Sequence, residues 1–244
     1  MILGVESGSE RFEGQRAQKL SAFARQAGFV APSLGFALVF AASARELFAG
    51  MQGLAAGVAA LLAVLPAIAA ADLASGVVHW LCDRFGDERT PVIGRVVIAP
   101  FREHHVDPEH LGRKDFFDAS SSNAWLALAL QGSWLWLSSP ATRALEVFAA
   151  SFALSLSTWV FLTNTFHQWA HQPAPPRVAR VLRRLRLAIT PEQHARHHRA
   201  GDRAYCVATG WCNAALERWR VFERLERWAA SLRSGSRSRR PSDA

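Results

Sequence analysis

Long uncharged stretches dominate the pattern of polar and apolar residues along this chain of 244 residues. Asp, Glu, Lys and Arg are missing from residues 26–44, 47–71, 119–142 and 147–176. A helix needs about 20 apolar residues to cross the hydrocarbon core of a bilayer, and these stretches hold 19 to 30 residues each. The pattern therefore predicts an all-α integral membrane protein, built as a four-helix bundle. Its spans are predicted at about 26–44, 50–80, 119–139 and 147–171.

Two C-terminal amphipathic helices are predicted after the fourth span. The first suits a helix lying among the headgroups of membrane lipids, and its apolar face comprises Val178, Val181, Leu182, Leu185 and Ile189. The second suits packing on the protein and membrane contact equally, and its apolar positions are Leu216, Trp219, Phe222, Leu225, Trp228 and Leu232. The predicted divisions are a cytoplasmic N-terminal segment (1–25), a membrane domain (26–230) and a disordered Ser/Arg-rich tail (231–244).

The basic residues indicate how the spans are oriented. The chain carries 28 Lys and Arg residues, and all but Arg45 and Arg143 lie before the first span, between the second and third, or after the fourth. By the positive-inside rule, both termini and the middle loop then face the cytoplasm. Because topology accounts for these charges, we predict no nucleic-acid partner.

Eight of the nine histidines fall into four groups along the chain, and the ninth, His110, stands alone. The groups are His79, then His104 with His105, then His167 with His171, then His194 with His197 and His198. In the predicted topology, these groups lie at the ends of the second and fourth spans and in two cytoplasmic segments. All four therefore meet at the cytoplasmic face, which predicts a metal site.

Helical spacing adds two carboxylates to the candidate ligands. His167 and His171 are four residues apart, so both rings project from one helix face. Asp83 stands four residues after His79, and Asp72 seven residues before it. Ionisable groups at membrane depth normally face the bundle interior. Both carboxylates are therefore predicted to be metal ligands or partners of imidazole N–H groups.

The number of ligands bears on the choice of metal. Imidazole binds Zn, Cu, Fe and Ni, but a catalytic zinc ion needs only about three protein ligands. Eight imidazoles and a carboxylate suit two metal ions better, and a pair of irons with O₂ can take hydrogen from an unactivated C–H bond. The chain contains no H-E-x-x-H and no C-x-x-C motif, which argues against a zinc protease and a thiolate zinc module.

Five motifs occur in order between about Ala71 and Glu226: ADLASGVVHWLCDRFG, PFREHHVDP followed by RKDFFD, NTFHQWAH, EQHARHH and YCVATGWCNAALE. Together they resemble the plasmanylethanolamine desaturase family, the Kua/CarF-type membrane lipid desaturases. The resemblance implies two iron ions, O₂ as co-substrate, and electrons from a small cytochrome- or ferredoxin-type carrier and its reductase. It also implies an ether phospholipid substrate, whose alkyl ether chain becomes the vinyl ether of a plasmalogen. Plant relatives instead desaturate an acyl chain of phosphatidylglycerol.

The family's metal ligands carry over onto nine residues: His79, Asp83, His104, His105, His167, His171, His194, His197 and His198. The chain departs from the family pattern at Gln193, where many relatives have His, at Gly201 and Asp202, where they have Pro-His, and in the stretch ASSSNAW after RKDFFD. We expect these departures to alter substrate fit or loop conformation more than metal binding.

Four further residues are candidates by position alone. Asn164, one turn before His167, is predicted either to support a ligand or to hold helices together. The phosphate of the substrate headgroup is predicted to meet a set of basic residues, unless these are ordinary positive-inside charges: Arg102, Arg113 and Lys114.

Other functions and another membrane remain open at this point. An acyl-lipid desaturase or a hydroxylase would use the same site. A non-enzymatic membrane regulator would bind metal without changing any lipid, and a zinc hydrolase would hold zinc without iron. The dominance of Arg among the basic residues favours a bacterial inner membrane, although the endoplasmic reticulum suits the family equally.

Overall fold

A computed structural model describes residues 8–138 and 141–237, and within these ranges it contains helices and no strand. The helices are α1 Gly8–Gly50, α2 Gly53–Arg84, α3 Ala99–Val106, α4 Pro108–Arg113, α5 Phe116–Leu137, α6 Ala144–His171, α7 Arg177–Arg184, α8 Pro191–Ala200, α9 Asn213–Arg218 and α10 Val221–Arg237. A single π-helical turn, Gly94–Ile98, precedes α3. The predicted all-α class is confirmed.

Three described helices are long and apolar enough to cross a membrane: Lys19–Gly50 within α1, Gly53–Arg84 and Ala144–His171. They contain the first and fourth predicted spans and, from Gly53 onward, the second, whose predicted start at residue 50 falls at the end of α1. The third predicted span, 119–139, lies largely in α5, which is a continuous helix but is not one of these three. Polar residues interrupt its apolar surface, namely Ser120, Ser121, Ser122, Asn123 and Gln131. A bundle of four spans is therefore not established by helix composition alone.

One compact unit comprises the chain up to Val64 together with Lys114–Thr165. Within it α5 packs along α1, and the rings of Phe36 and Phe161 stack with centroids 5.0 Å apart. Two pairs of its buried polar side chains are hydrogen-bonded: the Ser120 and Thr165 hydroxyls lie 3.0 Å apart, and the Ser157 hydroxyl donates to the Gln131 amide oxygen at 2.9 Å. Such pairing stabilises polar groups that are buried between helices, away from water.

The second unit comprises Leu65–Arg113 and the chain from Phe166 onward. Its aromatic core joins Trp80 of α2, Tyr205 and Phe222. Segment 203–212, between α8 and α9, lies against α2 at Gly76, where a Cβ atom would collide with the Cys206 thiol. Close approach of this segment to α2 therefore depends on a residue without a side chain.

The two amphipathic segments differ in part from their predictions. Helix α7 ends at Arg184, and Ile189, predicted on its apolar face, is fully buried in the core instead. The second segment divides into α9 and α10, of which Phe222 faces the core while Trp228 is 62% exposed. Helix α10 continues to Arg237, past residue 231, where the disordered tail was predicted to begin. Residues 1–7 and 238–244 of the predicted terminal segments lie outside the described residues.

Candidate metal centre

All nine residues predicted as metal ligands lie in the second unit, in two adjoining groups. The five-histidine group consists of His104, His167, His171, His194 and His198. The Asp83 group consists of His79, Asp83, His105 and His197. Within each group, one ligand atom from every residue lies within 4.8 Å of all the others. His110 is exposed and belongs to neither group.

Four helices supply these side chains. The last turns of α2 and α6 carry His79, Asp83, His167 and His171, and α3 carries the pair His104 and His105. Helix α8 carries the remaining three, and its start is fixed by a capping box. The Thr190 hydroxyl accepts from the Gln193 backbone N–H, and the Gln193 side chain accepts from the Thr190 backbone N–H. This reciprocal cap satisfies two backbone donors that a helix start leaves free, so α8 holds its histidines in a defined register.

Imidazole nitrogens converge at the centre of the five-histidine group. His194 Nε2 lies 2.9 Å from the Nε2 atoms of His167, His171 and His198. His167 Nε2 and His171 Nε2 are 3.4 Å apart. Two nitrogens bound to one ion at about 2.1 Å lie about 3.0 to 3.4 Å apart at octahedral or tetrahedral angles. The observed spacing therefore matches that of ligands sharing one ion.

The Asp83 group is arranged around a carboxylate. Asp83 Oδ2 lies 3.5 Å from His79 Nε2 and 3.3 Å from the Nε2 atoms of both His105 and His197. Among the residues that the structure describes, neither carboxylate oxygen of Asp83 has a hydrogen-bond partner, and His79 Nε2 has none either. Buried polar atoms of this kind are costly unless something binds them. A bound cation would satisfy both the carboxylate and the imidazole nitrogens.

Backbone carbonyl groups determine which nitrogen of three rings carries the proton. His79 Nδ1 lies 3.1 Å from the Tyr205 carbonyl oxygen, and His197 Nδ1 lies 2.8 Å from that of Arg203. His104 Nδ1 faces the Phe101 carbonyl in the same way. A carbonyl can only accept, so each Nδ1 donates and the Nε2 of the neutral ring keeps a free lone pair. Metal-binding histidines are commonly oriented by such bonds.

Burial also favours the neutral form of three imidazoles carried by α3 and α8. Burial and the neighbouring imidazoles lower the pKa of His104 and of His198 to about 3. The same causes hold the pKa of His194 well below its ordinary value. Neutral imidazole is the form that binds metal, so the residues present fit a metal centre.

The carboxylate of Asp72 has a structural role instead of contacting an imidazole. Its Oδ1 accepts from the backbone N–H groups of Thr209 and Gly210 at 2.7 and 2.9 Å, and its Oδ2 accepts from that of Cys212 at 2.9 Å. Three backbone donors satisfy the charge of a fully buried residue. Asp72 therefore ties segment 203–212 to α2 rather than supporting a ligand directly.

The four other positional candidates also have protein partners. Asn164 donates to the Ser122 hydroxyl at 3.2 Å, as expected of a residue that joins helices. Arg102 donates to the carbonyl groups of Cys82 and Gly86. Arg113 pairs with Asp107 and Glu109, and Lys114 pairs with Asp118. These contacts favour structural roles for the three basic residues and lend no support to phosphate binding by them.

Tyr205 contributes to the centre through both its ring and its backbone. The residue is 1% exposed, and its ring lies 5.0 Å from His197 and 5.9 Å from His79, centroid to centroid. Its carbonyl group orients His79 as well. Every residue has a carbonyl group, so no sequence pattern marks this role, although the Tyr-Cys pair within the YCVATGWCNAALE motif was a usable signal.

Comparison with known proteins places these residues in a family context. Residues 68–240 match the lipid desaturase domain family. The chain is 40% identical to a plasmanylethanolamine desaturase of Myxococcus xanthus over 70% of this chain and 62% of that protein. It is 33% identical to plasmanylethanolamine desaturase 1 of Mus musculus over 68% of this chain and 63% of that protein. It is 36% identical to the chloroplastic fatty acid desaturase 4 of Arabidopsis thaliana, over 64% of this chain and 47% of that protein.

The matched region includes all nine candidate ligands, since it begins before His79 and ends beyond His198. The chain spans less than two thirds of the length of each of these three relatives. No solved structure matches it.

Proposed function

Because the chain belongs to the lipid desaturase domain family, we propose that it is a membrane oxidoreductase that desaturates a lipid chain. The proposed substrate is a plasmanyl phospholipid, whose alkyl ether chain becomes a vinyl ether. The observation that carries the proposal is the pair of adjoining ligand groups, with five imidazoles in one and three imidazoles with a carboxylate in the other. The names of two relatives, both plasmanylethanolamine desaturases, support the choice of substrate.

Two iron ions held by these groups would supply, with O₂, the oxidising chemistry that removes hydrogen from two adjacent carbons of the chain. The balanced reaction consumes O₂, two electrons and two protons, and it releases two waters for each double bond. The electrons come from an external carrier, which the proposal assigns to a cytochrome or ferredoxin type with its reductase. Protein side chains bind and orient the reacting groups in such an enzyme, while the cofactor carries out the oxidation.

The residues of the chain have three tasks in this proposal. The carbonyl groups of Phe101, Arg203 and Tyr205 hold imidazole rings in the metal-binding orientation. The Asp83 carboxylate offsets the charge of a metal ion in a buried place, where uncompensated charge is costly. Burial of His79, His194 and His197, each at most 1% exposed, keeps water from their side of the centre.

We further propose that α5 crosses the membrane, so that the chain has four spans. His79 lies at the C-terminal end of α2 and His167 at that of α6, and their rings are 5.8 Å apart, centroid to centroid. Both helices must therefore end on the same side of the membrane, which requires a further crossing between them. Helix α5 is about 33 Å long at the usual rise per residue, and several of its large apolar side chains are exposed, including Trp125 and Leu130.

By this topology both termini and the metal centre face the cytoplasm, which follows the distribution of basic residues. The proposed location is a bacterial inner membrane.

An acyl-lipid desaturase is the second candidate. The chain is 36% identical to a chloroplastic fatty acid desaturase, and the same ligand groups would serve that reaction. The outcome depends on which carbon atoms lie nearest the metal centre.

Lipid mass spectrometry tests the proposal and separates the two candidates. Cells that contain alkyl ether lipids but cannot make plasmalogens would express the native chain or its His198→Ala variant. We expect acid-labile vinyl ether lipids with the native chain and none with the variant. A new acyl double bond would favour the second candidate. No lipid change, despite confirmed expression and a working electron donor, would contradict the proposal.

A further inference from the structure

Helix α7 and the turn after it carry a concentration of positive charge without acidic partners. Residues 177–190 contain five arginines and no Asp or Glu. Among the described side chains, no carboxylate lies within ion-pair distance of Arg177, Arg180, Arg184 or Arg186, all of which are exposed. Arg180 donates one guanidinium N–H to the Pro175 carbonyl group at 2.9 Å, whereas Arg113 and Lys114, first considered for phosphate binding, are paired with carboxylates. The arginines of α7 are therefore not neutralised by a carboxylate and keep donors that can bind an anion.

The exposed surface of α7 has two adjacent rows of side chains. The apolar row comprises Val178, Val181 and Leu185, which are 51%, 51% and 62% exposed. The basic row comprises Arg177, Arg180 and Arg184. Each row follows the spacing of three and four residues that places side chains on one helix face. The third face, with fully buried Ala179, packs on the protein.

The position of α7 along the chain places it close to the membrane surface. Helix α6 is one of the candidate spans and ends at His171, and α7 begins at Arg177. A helix with an apolar row beside an arginine row typically lies in the plane of the interface, with the apolar row in the acyl region and the cations at the phosphates. The exposed valines and leucine favour a lipid surface over an acidic protein partner, which would leave them in water.

Helix α7 is attached to α6, which carries two of the histidines, and to segment 203–212. The Arg183 guanidinium donates to the Trp169 carbonyl group at 2.7 Å, between His167 and His171 of α6. The Trp211 indole donates to the Arg186 carbonyl group at 2.6 Å, which joins the end of α7 to segment 203–212. A ligand on α7 is therefore bound to the same framework that holds the metal centre.

We infer that α7 is a binding site for the headgroups of anionic phospholipids in the surrounding membrane. Guanidinium groups bind phosphate oxygens through paired hydrogen bonds, and the basic row presents three of them side by side. The inference requires insertion in a membrane but not the proposed reaction, because α7 carries none of the nine candidate metal ligands.

Native mass spectrometry of the full-length chain in detergent, with added phosphatidylglycerol or phosphatidylcholine, tests this inference without turnover. The test variant is Arg177→Gln/Arg180→Gln/Arg184→Gln. The control is Arg203→Gln/Arg220→Gln/Arg227→Gln, which removes the same charge at exposed arginines that each lie beside a carboxylate. A third variant, Arg177→Lys/Arg180→Lys/Arg184→Lys, keeps the charge. Melting temperature and metal content show whether each variant is folded.

The expected result is a weaker affinity for phosphatidylglycerol in the test variant, by roughly fivefold for each arginine removed. The control binds as the native chain does, the lysine variant retains most of the binding, and phosphatidylcholine binds weakly throughout. Unchanged phosphatidylglycerol binding by the folded test variant would overturn the inference, as would an equal loss in the control. Unchanged lipid binding with a raised KM for the electron donor would instead make α7 a protein-docking surface.

The proposed desaturation and lipid binding at α7 can be tested independently of each other. A His198→Ala chain that forms no product yet binds phosphatidylglycerol normally leaves the inference standing, and a fully active chain that binds none contradicts the inference alone.

Discussion

The carboxylate of Asp72 shows how one buried charge is stabilised at membrane depth. Its oxygens accept three backbone N–H groups of segment 203–212. The same segment carries the carbonyl group of Tyr205, which orients His79. We therefore expect Asp72 to be a positioning residue, which holds this segment in place without contacting an imidazole.

The substitution Asp72→Asn should destabilise the protein and reduce its metal content. The asparagine amide lacks the negative charge of the carboxylate and points an N–H group at backbone donors. This lowers the free energy of unfolding by roughly 2 to 4 kcal/mol. For a chain of this size, we expect the melting temperature in detergent to fall by roughly 5 to 15 °C.

The matched control is Asp107→Asn, which breaks an exposed ion pair with Arg113. This pair contributes at most about 1 kcal/mol. Equal melting temperatures for the two variants would contradict the role assigned to Asp72.

Sequence patterns located the histidines of the centre but not what orients them. Regular spacing brought His167 and His171 to one helix face, and the same rule related His79 to Asp83. It could not place Asp72, since a spacing of seven residues also fits a carboxylate that faces a backbone loop. The sequence does not reveal that the carbonyl groups of Phe101 and Arg203 orient imidazole rings, because this role does not depend on the side chain.

At the scale of elements, α2 approaches segment 203–212 through Gly76. A Cβ atom at this position would collide with the Cys206 thiol and lie 3.3 Å from the Cys206 backbone nitrogen. Uncharged stretches marked α2 as a membrane span, but they did not reveal this packing. A residue without a side chain is needed at Gly76 because Cys206, more than a hundred residues away in sequence, packs against it.

Replacing Gly76 with Ala should force the two elements apart. Such overpacking costs roughly 1 to 3 kcal/mol, so the melting temperature in detergent should fall by several degrees. Gly57→Ala in the same helix is the control, since nothing lies within 4 Å of its Cβ position, and alanine there favours the helix by about 1 kcal/mol. A Gly76→Ala variant as stable as the Gly57→Ala variant would show that the close contact is absent.

At the scale of the whole molecule, the topology that we propose has four crossings, which place the centre at one face of the membrane. Length and composition identify three candidate spans, and α5, with its polar residues, is not one of them. The argument that α5 crosses the membrane is that the rings of His79 and His167 lie close together. This contact is a feature of tertiary structure, which helix composition does not reveal.

Cysteine labelling tests this topology in intact cells. Single substitutions Gln52→Cys, Glu88→Cys and Ala174→Cys, in a Cys212→Ser background, place thiols at exposed positions in three connections. We expect an impermeant maleimide to label position 52 from outside, and positions 88 and 174 only after lysis. Labelling of position 174 but not of 88 in intact cells would mean that α5 does not cross.

Metal analysis of the purified chain is the most direct test of the central claim, that its nine ligands bind two metal ions. We expect about two irons per chain. The variants His167→Ala, in the five-histidine group, and Asp83→Ala, in the Asp83 group, should each retain about half of this iron. Stoichiometric zinc without iron, or full iron content in both variants, would contradict the claim.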